Sequence, residues 1–235
     1  MPKVSVCLSP ELFEKHLPFE GIIVVIDVFR ATSTICAAFE GGVKTIYALA
    51  GVDEALELKS QNPNAILVGE RDGKMIEGFD LGNSPEAFLS RAYAVRDVIL
   101  TTTNGTQALN AADASGNPVW IGALMNREAI IRKLSESRAN VLLFCAGWKG
   151  RLSLEDTVCA GLIAQALVKE GYELEGDEAH MSITLAASGD IEVVLKNASH
   201  RQRLEKLGIR RDIELSMHFR SEKVPLFKKG KVEIA

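Results

Sequence analysis

The chain has 235 residues, of which 47% are hydrophobic and 25% are charged, and its formal net charge is −4. These values are typical of a soluble globular protein large enough to bury a substantial core. The acidic balance argues against a nucleic-acid partner, and no apolar run approaches the ~20 residues that span a bilayer.

Cysteine usage and the first residues suggest a compartment. The four cysteines lie far apart without CxxC pairs, and "MPKVSVCLSPELFEKH" lacks the long apolar segment of a secretory signal. We therefore expect a cytoplasmic protein with reduced thiols.

Short apolar runs alternate with helical patterns along most of the chain. Strands are predicted at "KVSVCLS" (3–9), "GIIVVID" (21–27), "VKTIYAL" (43–49), "AILVGE" (65–70), "RDVILTT" (96–102), "PVWIGAL" (118–124) and "ANVLLFCAG" (139–147), with helices in most of the intervals and over 153–170. "GIIVVID" is apolar on both faces, as in a strand covered by helices on each side. The alternation predicts one α/β domain over 1–235, a three-layer α/β/α sandwich with a mainly parallel sheet.

The pattern is less regular after Gly171. Residues 177–188 and 190–207 are predicted to be helical, and "DIELSMHF" (212–219) and "GKVEIA" (230–235) are predicted as a closing pair of strands. His180, His200 and His218 lie in this part, follow no metal-ligand spacing, and are predicted at the surface.

Polar clusters follow four of the predicted strands, at the edge where open α/β sheets place their ligand sites. They are "IDVFRATS", "GERDGKMIEGFDLGNSP", "TTTNGT" and "CAGWKGRLSLED". Together they supply carboxylates, cations, hydroxyls and glycines, the mixture that a metal-bound phosphate ester requires.

The first cluster contains Asp27 and Arg30. Asp27 ends an apolar strand, and its carboxylate is suited to bind Mg²⁺ or to attack phosphorus. Arg30 is suited to clamp a phosphate or a second anion. The alternative is structural: Asp27 caps the following helix and Arg30 pairs with it.

The third cluster places Thr102, Thr103, Asn104 and Gly105 where a helix begins. Backbone N–H groups at a helix N-terminus form an anion site. An ordinary N-cap after an Asn-Gly turn explains the same residues equally well.

The second cluster spans residues 69–85 and includes Glu70, Arg71 and Lys74 among glycines. Its length favours a lid that carries charged groups to a substrate. The alternative is a solvated surface loop.

The fourth cluster allows two interpretations of its carboxylates. Ser153 and Asp156 fit a capping box, and Glu155 complements the helix dipole. Both roles are compatible with metal binding through oxygens that remain free.

Cys145 and Arg151 have the spacing of a cysteine phosphatase loop. The glycines are not placed as in that loop, no histidine precedes Cys145, and Leu152 stands where a hydroxyl normally follows the arginine. We therefore expect Cys145 to be a buried residue at a strand end.

The four clusters together resemble the signature segments of the 2-phosphosulfolactate phosphatases, through "DVFRATSTICAAFEGG", "GERDGKMIEGFDLGNSP", "TTTNGT" and "CAGWKGRLSLEDTVCAG". The resemblance runs in matching order from about residue 22 to 165. It implies a Mg²⁺-dependent hydrolase that converts 2-phospho-3-sulfolactate to sulfolactate, a step toward coenzyme M. A phosphatase of another phosphorylated 2-hydroxy acid, or a non-catalytic anion-binding protein on the same fold, is the alternative.

This resemblance leads to a set of roles. Asp27, Glu70 and Asp156 are candidates to hold Mg²⁺, with Asp27 also the nucleophile or the group that orients water, and Glu155 the general acid or base. The remaining candidates would bind the small anionic substrate: Arg30, Lys74, Thr102, Thr103, Asn104, Gly105 and Arg151. A haloacid-dehalogenase type of phosphatase is disfavoured because Phe29 replaces its second aspartate. A homodimer is plausible for an enzyme of this size.

Overall fold

The computed structural model describes residues 1–234. In chain order the elements are β1 (Lys3–Cys7), β2 (Ile22–Ile26), α1 (Ala31–Glu40), β3 (Thr45–Ala48), α2 (Val52–Gln61), β4 (Ile66–Arg71), β5 (Lys74–Met75), α3 (Pro85–Leu89), β6 (Asp97–Thr101), α4 (Gly105–Ala114), β7 (Val119–Gly122), α5 (Arg127–Ser137), β8 (Val141–Cys145), α6 (Leu154–Lys169), β9 (Glu173–Leu174), α7 (Asp177–Ala186), α8 (Ile191–Leu195), α9 (Ser199–Lys206), α10 (Arg210–His218), β10 (Pro225–Lys228) and β11 (Lys231–Ile234). No helix within these residues is both long and apolar enough to cross a membrane.

One mixed sheet contains all of these strands, in the order β5-β4-β6-β3-β11-β10-β7-β2-β8-β1-β9. The strands β4, β6 and β3 pair in parallel, and so do β7, β2, β8, β1 and β9. The β10–β11 hairpin joins these two groups by antiparallel pairing on both sides, so the groups run in opposite directions. The predicted α/β/α sandwich with a mainly parallel sheet is confirmed.

Strand β2 lies at the centre of the core, and each of its residues is buried. Ile23 and Val25 pack on one face of the sheet with helices α1 and α4. Val24 and Ile26 pack on the other face with helix α6. Branched apolar side chains on both faces favour an extended strand with helical layers above and below it.

The predicted strand "DIELSMHF" is wrong, because residues 210–218 form helix α10. Its apolar residues Ile213, Leu215 and Met217 recur every second position, which imitates a strand. The helix instead buries a face that includes Asp212 and Ser216, two polar residues that a hydrophobic pattern assigns to solvent.

The other predictions for the C-terminal part agree more closely with the structure. Residues 177–186 form the predicted helix, and the predicted helix over 190–207 divides into α8 and α9. "GKVEIA" contributes strand β11, while Ala235 lies outside the described residues.

Candidate active site

The loops that follow β2, β4, β6 and β8 meet at one narrow cleft, and helix α9 closes one side of it. The cleft is lined by Asp27, Phe29, Arg30, Glu70, Gly73, Asn83, Asn104, Trp148, His200, Arg203 and Leu204. Its free volume is about 10 Å³, close to the least that one water molecule needs. Two of the four predicted polar clusters therefore contribute three residues each, and the other two contribute Asn104 and Trp148.

Asp27 lines the cleft and is only 6% exposed. Its Oδ1 accepts a long hydrogen bond of 3.4 Å from the Ala31 backbone N–H. Burial raises the pKa of Asp27 well above its usual range, and the charges of Asp156 and Glu70 raise it further, while His200 opposes them. A carboxylate so weakly satisfied and so buried requires a cation or a proton.

Asp156, by contrast, does not line the cleft, and both of its carboxylate oxygens accept backbone hydrogen bonds. Its two carboxylate oxygens accept hydrogen bonds from the backbone N–H groups of Val28 (2.8 Å) and Gly147 (3.1 Å), which ties together the loops after β2 and β8. The Ser153 hydroxyl accepts the Asp156 N–H, so half of the predicted capping box forms. Burial raises the pKa of Asp156, and the neighbouring Glu155 adds to the shift.

Glu70 lines the cleft and also stabilises the loops that form it. Its Oε1 accepts the Thr103 N–H at 2.7 Å and its Oε2 accepts the Gly73 N–H at 2.6 Å. These bonds join the loop after β4 to the loop after β6. One lone pair on each oxygen remains for a ligand.

Replacing Glu70 by Gln is expected to lower stability by about 1–3 kcal/mol and to reduce turnover, because one of the two backbone N–H groups would face an amide donor. Thermal melting and a phosphate-release assay measure the two effects. Glu77→Gln is the matched control, since Glu77 lies exposed in the same loop. Equal melting temperatures for the two variants would contradict this role of Glu70.

Arg30 lines the cleft but does not pair with Asp27, as the structural alternative had it. Its Nη1 donates to Asp212 Oδ2 at 2.7 Å, and its Nη2 donates to the Gly73 carbonyl at 3.1 Å. Asp212 also accepts the Ser84 hydroxyl at 2.6 Å. The guanidinium is thus held rigidly at the cleft wall by a buried ion pair.

The hydroxyls of the predicted phosphate cradle are used inside the protein. Thr102 Oγ1 accepts the Thr106 N–H at 3.1 Å, and the Thr106 hydroxyl donates to the Thr102 carbonyl. Thr103 Oγ1 accepts the Asp72 N–H at 3.2 Å. Thr102 and Thr103 therefore shape the loop from behind and do not line the cleft.

Asn104 and Gly105 bring the N-terminus of α4 to the site. Asn104 lines the cleft, and its Oδ1 accepts the Lys149 N–H at 3.1 Å. Gly105 approaches so closely that a Cβ built on it would lie 2.6 Å from Asp27 Oδ2 and 2.4 Å from the Ala31 Cβ. Only glycine allows the helix to abut the carboxylate in this way.

Two predicted cations lie outside the cleft. Lys74 and Arg151 are exposed and do not line it. Arg71 is also occupied elsewhere, since its guanidinium donates to the Glu70 carbonyl and to Thr101 Oγ1.

Cys145 is fully buried at the end of β8, as expected. Burial raises the pKa of its thiol far above the ordinary range, and the Asp156 charge adds to this. The geometry disfavours a thiolate nucleophile at this position.

Sequence reasoning missed the two polar cleft residues on α9, His200 and Arg203. His200 was predicted at the surface, but it is only 8% exposed, whereas His180 and His218 are exposed as predicted. Arg203 stacks over the ring of Trp148 at 3.6 Å. Its Nη1 donates to the Asp72 carbonyl at 2.9 Å, and its buried Nε has no partner among residues 1–234. The missed signal is the i, i+4 pair of His200 and Leu204, which defines the inward face of a short helix otherwise rich in charge.

The predicted metal ligands do not form a ready-made triad. Within the described residues, no three His, Cys, Asp or Glu side chains are grouped closely enough to hold a metal ion. Asp27 and Glu70 both line the cleft, whereas Asp156 does not. This donor set fits Mg²⁺, which proteins commonly bind through one or two carboxylates together with water and substrate phosphate.

Comparison with known proteins agrees with the sequence motifs. The model of a family described as 2-phosphosulpholactate phosphatase matches residues 7–230. A protein of Synechococcus sp. (strain WH7803) is 43% identical over 192 residues, covering 79% of this chain and 77% of that protein. Proteins of Clostridium botulinum and Clostridium beijerinckii are 37% and 31% identical, covering 90% and 98% of both chains respectively. Each of the three is named "Probable 2-phosphosulfolactate phosphatase".

Proposed function

Because the chain belongs to the 2-phosphosulfolactate phosphatase family, we propose that it hydrolyses 2-phosphosulfolactate to sulfolactate and phosphate. The observation that carries this proposal is the cleft itself, where the carboxylates of Asp27 and Glu70 face the guanidinium groups of Arg30 and Arg203. Such a site combines a reactive or metal-binding group with fixed positive charge.

The charges of the cleft suit a polyanionic substrate. Phosphate, carboxylate and sulfonate together carry about four negative charges at neutral pH. Arg30 is already neutralised by Asp212, so Arg203, whose Nε is unpartnered within the described chain, is the better candidate to pair with substrate. The backbone N–H groups at the start of α4, beside Asn104, would receive phosphate oxygens.

Asp27 takes the central role in this proposal. It either attacks phosphorus or orients the attacking water, and its position beside the N-terminus of α4 supports this role, because a phosphate bound by the backbone N–H groups there would lie next to it. Asp27 and Glu70 would hold Mg²⁺, which supplies positive charge to the phosphate when it is bound.

Entry of substrate requires the cleft to open, since its free volume holds no more than about one water molecule. Helix α9 closes one side, and Arg203 bridges it to the Asp72 carbonyl opposite. We place the reaction in the cytoplasm, a compartment compatible with the four free cysteines of the described chain. Sulfolactate formed there would be available for coenzyme M synthesis.

The test is phosphate release from racemic 2-phosphosulfolactate with Mg²⁺, with EDTA and after iodoacetamide treatment. We expect activity that EDTA abolishes, that Mg²⁺ restores and that alkylation leaves unchanged, because Cys145 is fully buried. Activity that survives EDTA but is lost on alkylation would contradict the proposal.

Two further outcomes assign the chain to the alternatives. Release from other phosphorylated 2-hydroxy acids, and not from 2-phosphosulfolactate, would identify a phosphatase of different specificity. Tight binding of 2-phosphosulfolactate without release would identify an anion-binding protein.

A further inference from the structure

A buried histidine–carboxylate pair adjoins the cleft and has no part in the proposed function as described above. His200 Nδ1 lies 2.9 Å from Glu155 Oε1, joining α9 to the start of α6. His200 is 8% and Glu155 only 1% exposed. Burying an imidazole and a carboxylate costs free energy. The cost is offset where the carboxylate fixes the orientation of the imidazole or favours its charged form.

The imidazole is held in one orientation. Its ring packs against Trp148, with 5.1 Å between ring centroids, and edge-on against Phe29, with 6.4 Å between centroids. Since Nδ1 is bonded to Glu155, the nitrogen that remains is Nε2, and it makes no hydrogen bond within residues 1–234. His200 lines the same cleft as Asp27, so Nε2 is the nitrogen available to a bound substrate.

Glu155 does not line the cleft. Its Oε1 is bonded to His200, and its buried Oε2 has no partner among the described residues. A carboxylate with these surroundings is stabilised most by a positively charged neighbour, and within residues 1–234 the side chain hydrogen-bonded to it is that of His200. The sequence analysis assigned the role of acid or base to Glu155. In the structure His200 is better placed for that role, and Glu155 acts through it.

We propose that His200 is the general acid that protonates the leaving oxygen of the substrate, and that Glu155 is the positioning residue that orients and charges its imidazole. This inference rests on the proposed phosphatase function and assigns its proton donor. As the phosphorus–oxygen bond breaks, its electron pair stays on the C2 oxygen, and the Nε2 proton moves to that oxygen to give the alcohol. The attacking water gives its hydroxyl to phosphorus, and its remaining proton replaces the one that His200 has lost.

The charged groups around His200 come from every element that borders it. They are the carboxylates of Glu155, Asp27 and Glu70 and the guanidinium groups of Arg30 and Arg203. Among these, Glu155 is hydrogen-bonded directly to the ring. Removing the charge of Glu155 alone should therefore change the pH dependence of the reaction.

The test compares the pH dependence of kcat/KM for the wild type with that of His200→Asn. The Asn side-chain amide can still donate to Glu155, in the place of Nδ1, but it has no group equivalent to Nε2. We expect kcat/KM near pH 6.5 to fall about 100-fold or more, and the decline of the wild-type profile at higher pH to disappear. His218→Asn is the matched control, because His218 is exposed and also bonded to a carboxylate, that of Glu192.

Glu155→Gln provides a second readout that a purely structural role would not produce. The variant keeps an acceptor for Nδ1–H but loses the negative charge. We expect the high-pH decline to move about 1 unit toward acid and the rate near pH 7 to fall about tenfold. If His200→Asn does not fold, judged by circular dichroism, this profile decides the inference.

The two proposals fail in different ways. A wild-type protein that releases no phosphate from 2-phosphosulfolactate at any pH overturns the proposed function. An active wild type whose high-pH decline persists in His200→Asn, or a Glu155→Gln profile that matches the wild type, overturns the role of His200 alone.

Discussion

Replacing Asp27 by Asn is expected to abolish phosphate release while making the folded protein more stable. The activity should fall roughly 1,000-fold or more, because the amide neither attacks phosphorus nor binds a cation as a carboxylate does. The gain in stability follows from the surroundings of the Asp27 carboxylate. It is buried, it accepts one long hydrogen bond within the described residues, and neighbouring carboxylates repel its charge.

The stability effect has a defined dependence on pH. The pKa of Asp27 is raised above its usual 3.8 in the folded state. At pH values between the pKa of the unfolded chain and that of the folded protein, the folded protein therefore holds a proton that the unfolded chain has released. Wild-type stability should therefore fall as pH rises above 3.8, and Asp27→Asn should escape this loss. The advantage of the variant should grow with pH, to about 1 kcal/mol or more at neutral pH.

Thermal melting in EDTA across pH 5–8 measures this effect, with an expected rise of roughly 2–4 °C at the upper end. EDTA is needed because a bound cation would favour the charged form of Asp27. Asp53→Asn is the control, since Asp53 is exposed in the first turn of α2. A variant that melts below the wild type at every pH would show that the Asp27 charge is compensated in the folded state.

A single added methyl group at Gly105 is expected to impair turnover strongly, although less than the loss of the Asp27 carboxylate does. An Ala Cβ there would lie 2.4 Å from the Ala31 Cβ and 2.6 Å from Asp27 Oδ2, both shorter than any tolerable contact. Helix α4 and helix α1 would have to separate, which costs about 1–3 kcal/mol and displaces Asp27. Turnover should fall about 100-fold or more, since small displacements at a reacting centre have effects of this size.

Gly51→Ala is the matched substitution, because its Cβ would meet nothing closer than 3.7 Å. Gly51 precedes helix α2 much as Gly105 begins helix α4. Kinetics and melting of the two variants separate the steric effect from the general effect of losing a glycine. Near-wild-type turnover of Gly105→Ala would mean that the two helices yield without moving Asp27.

The central part of the fold was predictable because its elements depend on local patterns. The apolar run before Asp27 is buried on both faces, and its length and branching leave no helical alternative. The C-terminal part was not predictable in the same way. The alternation of Ile213, Leu215 and Met217 indicates a strand by period, but burial of Asp212 against Arg30 favours a helix that no local pattern reveals.

The cleft residues also fall into a predictable and an unpredictable group. Asp27, Arg30, Glu70 and Asn104 were predicted as functional residues because each lies at or just beyond the end of a strand, and all four line the cleft. His200 and Arg203 were not, since they come from a short, strongly charged helix whose inward face is defined only by its packing. Lys74 and Arg151 were predicted to bind substrate, but both are exposed. A cation in the correct loop points to solvent unless a partner holds it.

The β10–β11 hairpin also determines an order of events during biosynthesis. The strands of the two parallel groups are synthesised by residue 174, yet no backbone ladder joins the groups until residues 225–234 have emerged from the ribosome. Until then β3 and β7 each present an unpaired edge, the kind of surface on which nascent chains pair wrongly with one another. The loops that form the cleft come from both groups, so we expect the cleft to take its final form after this late hairpin has inserted between them.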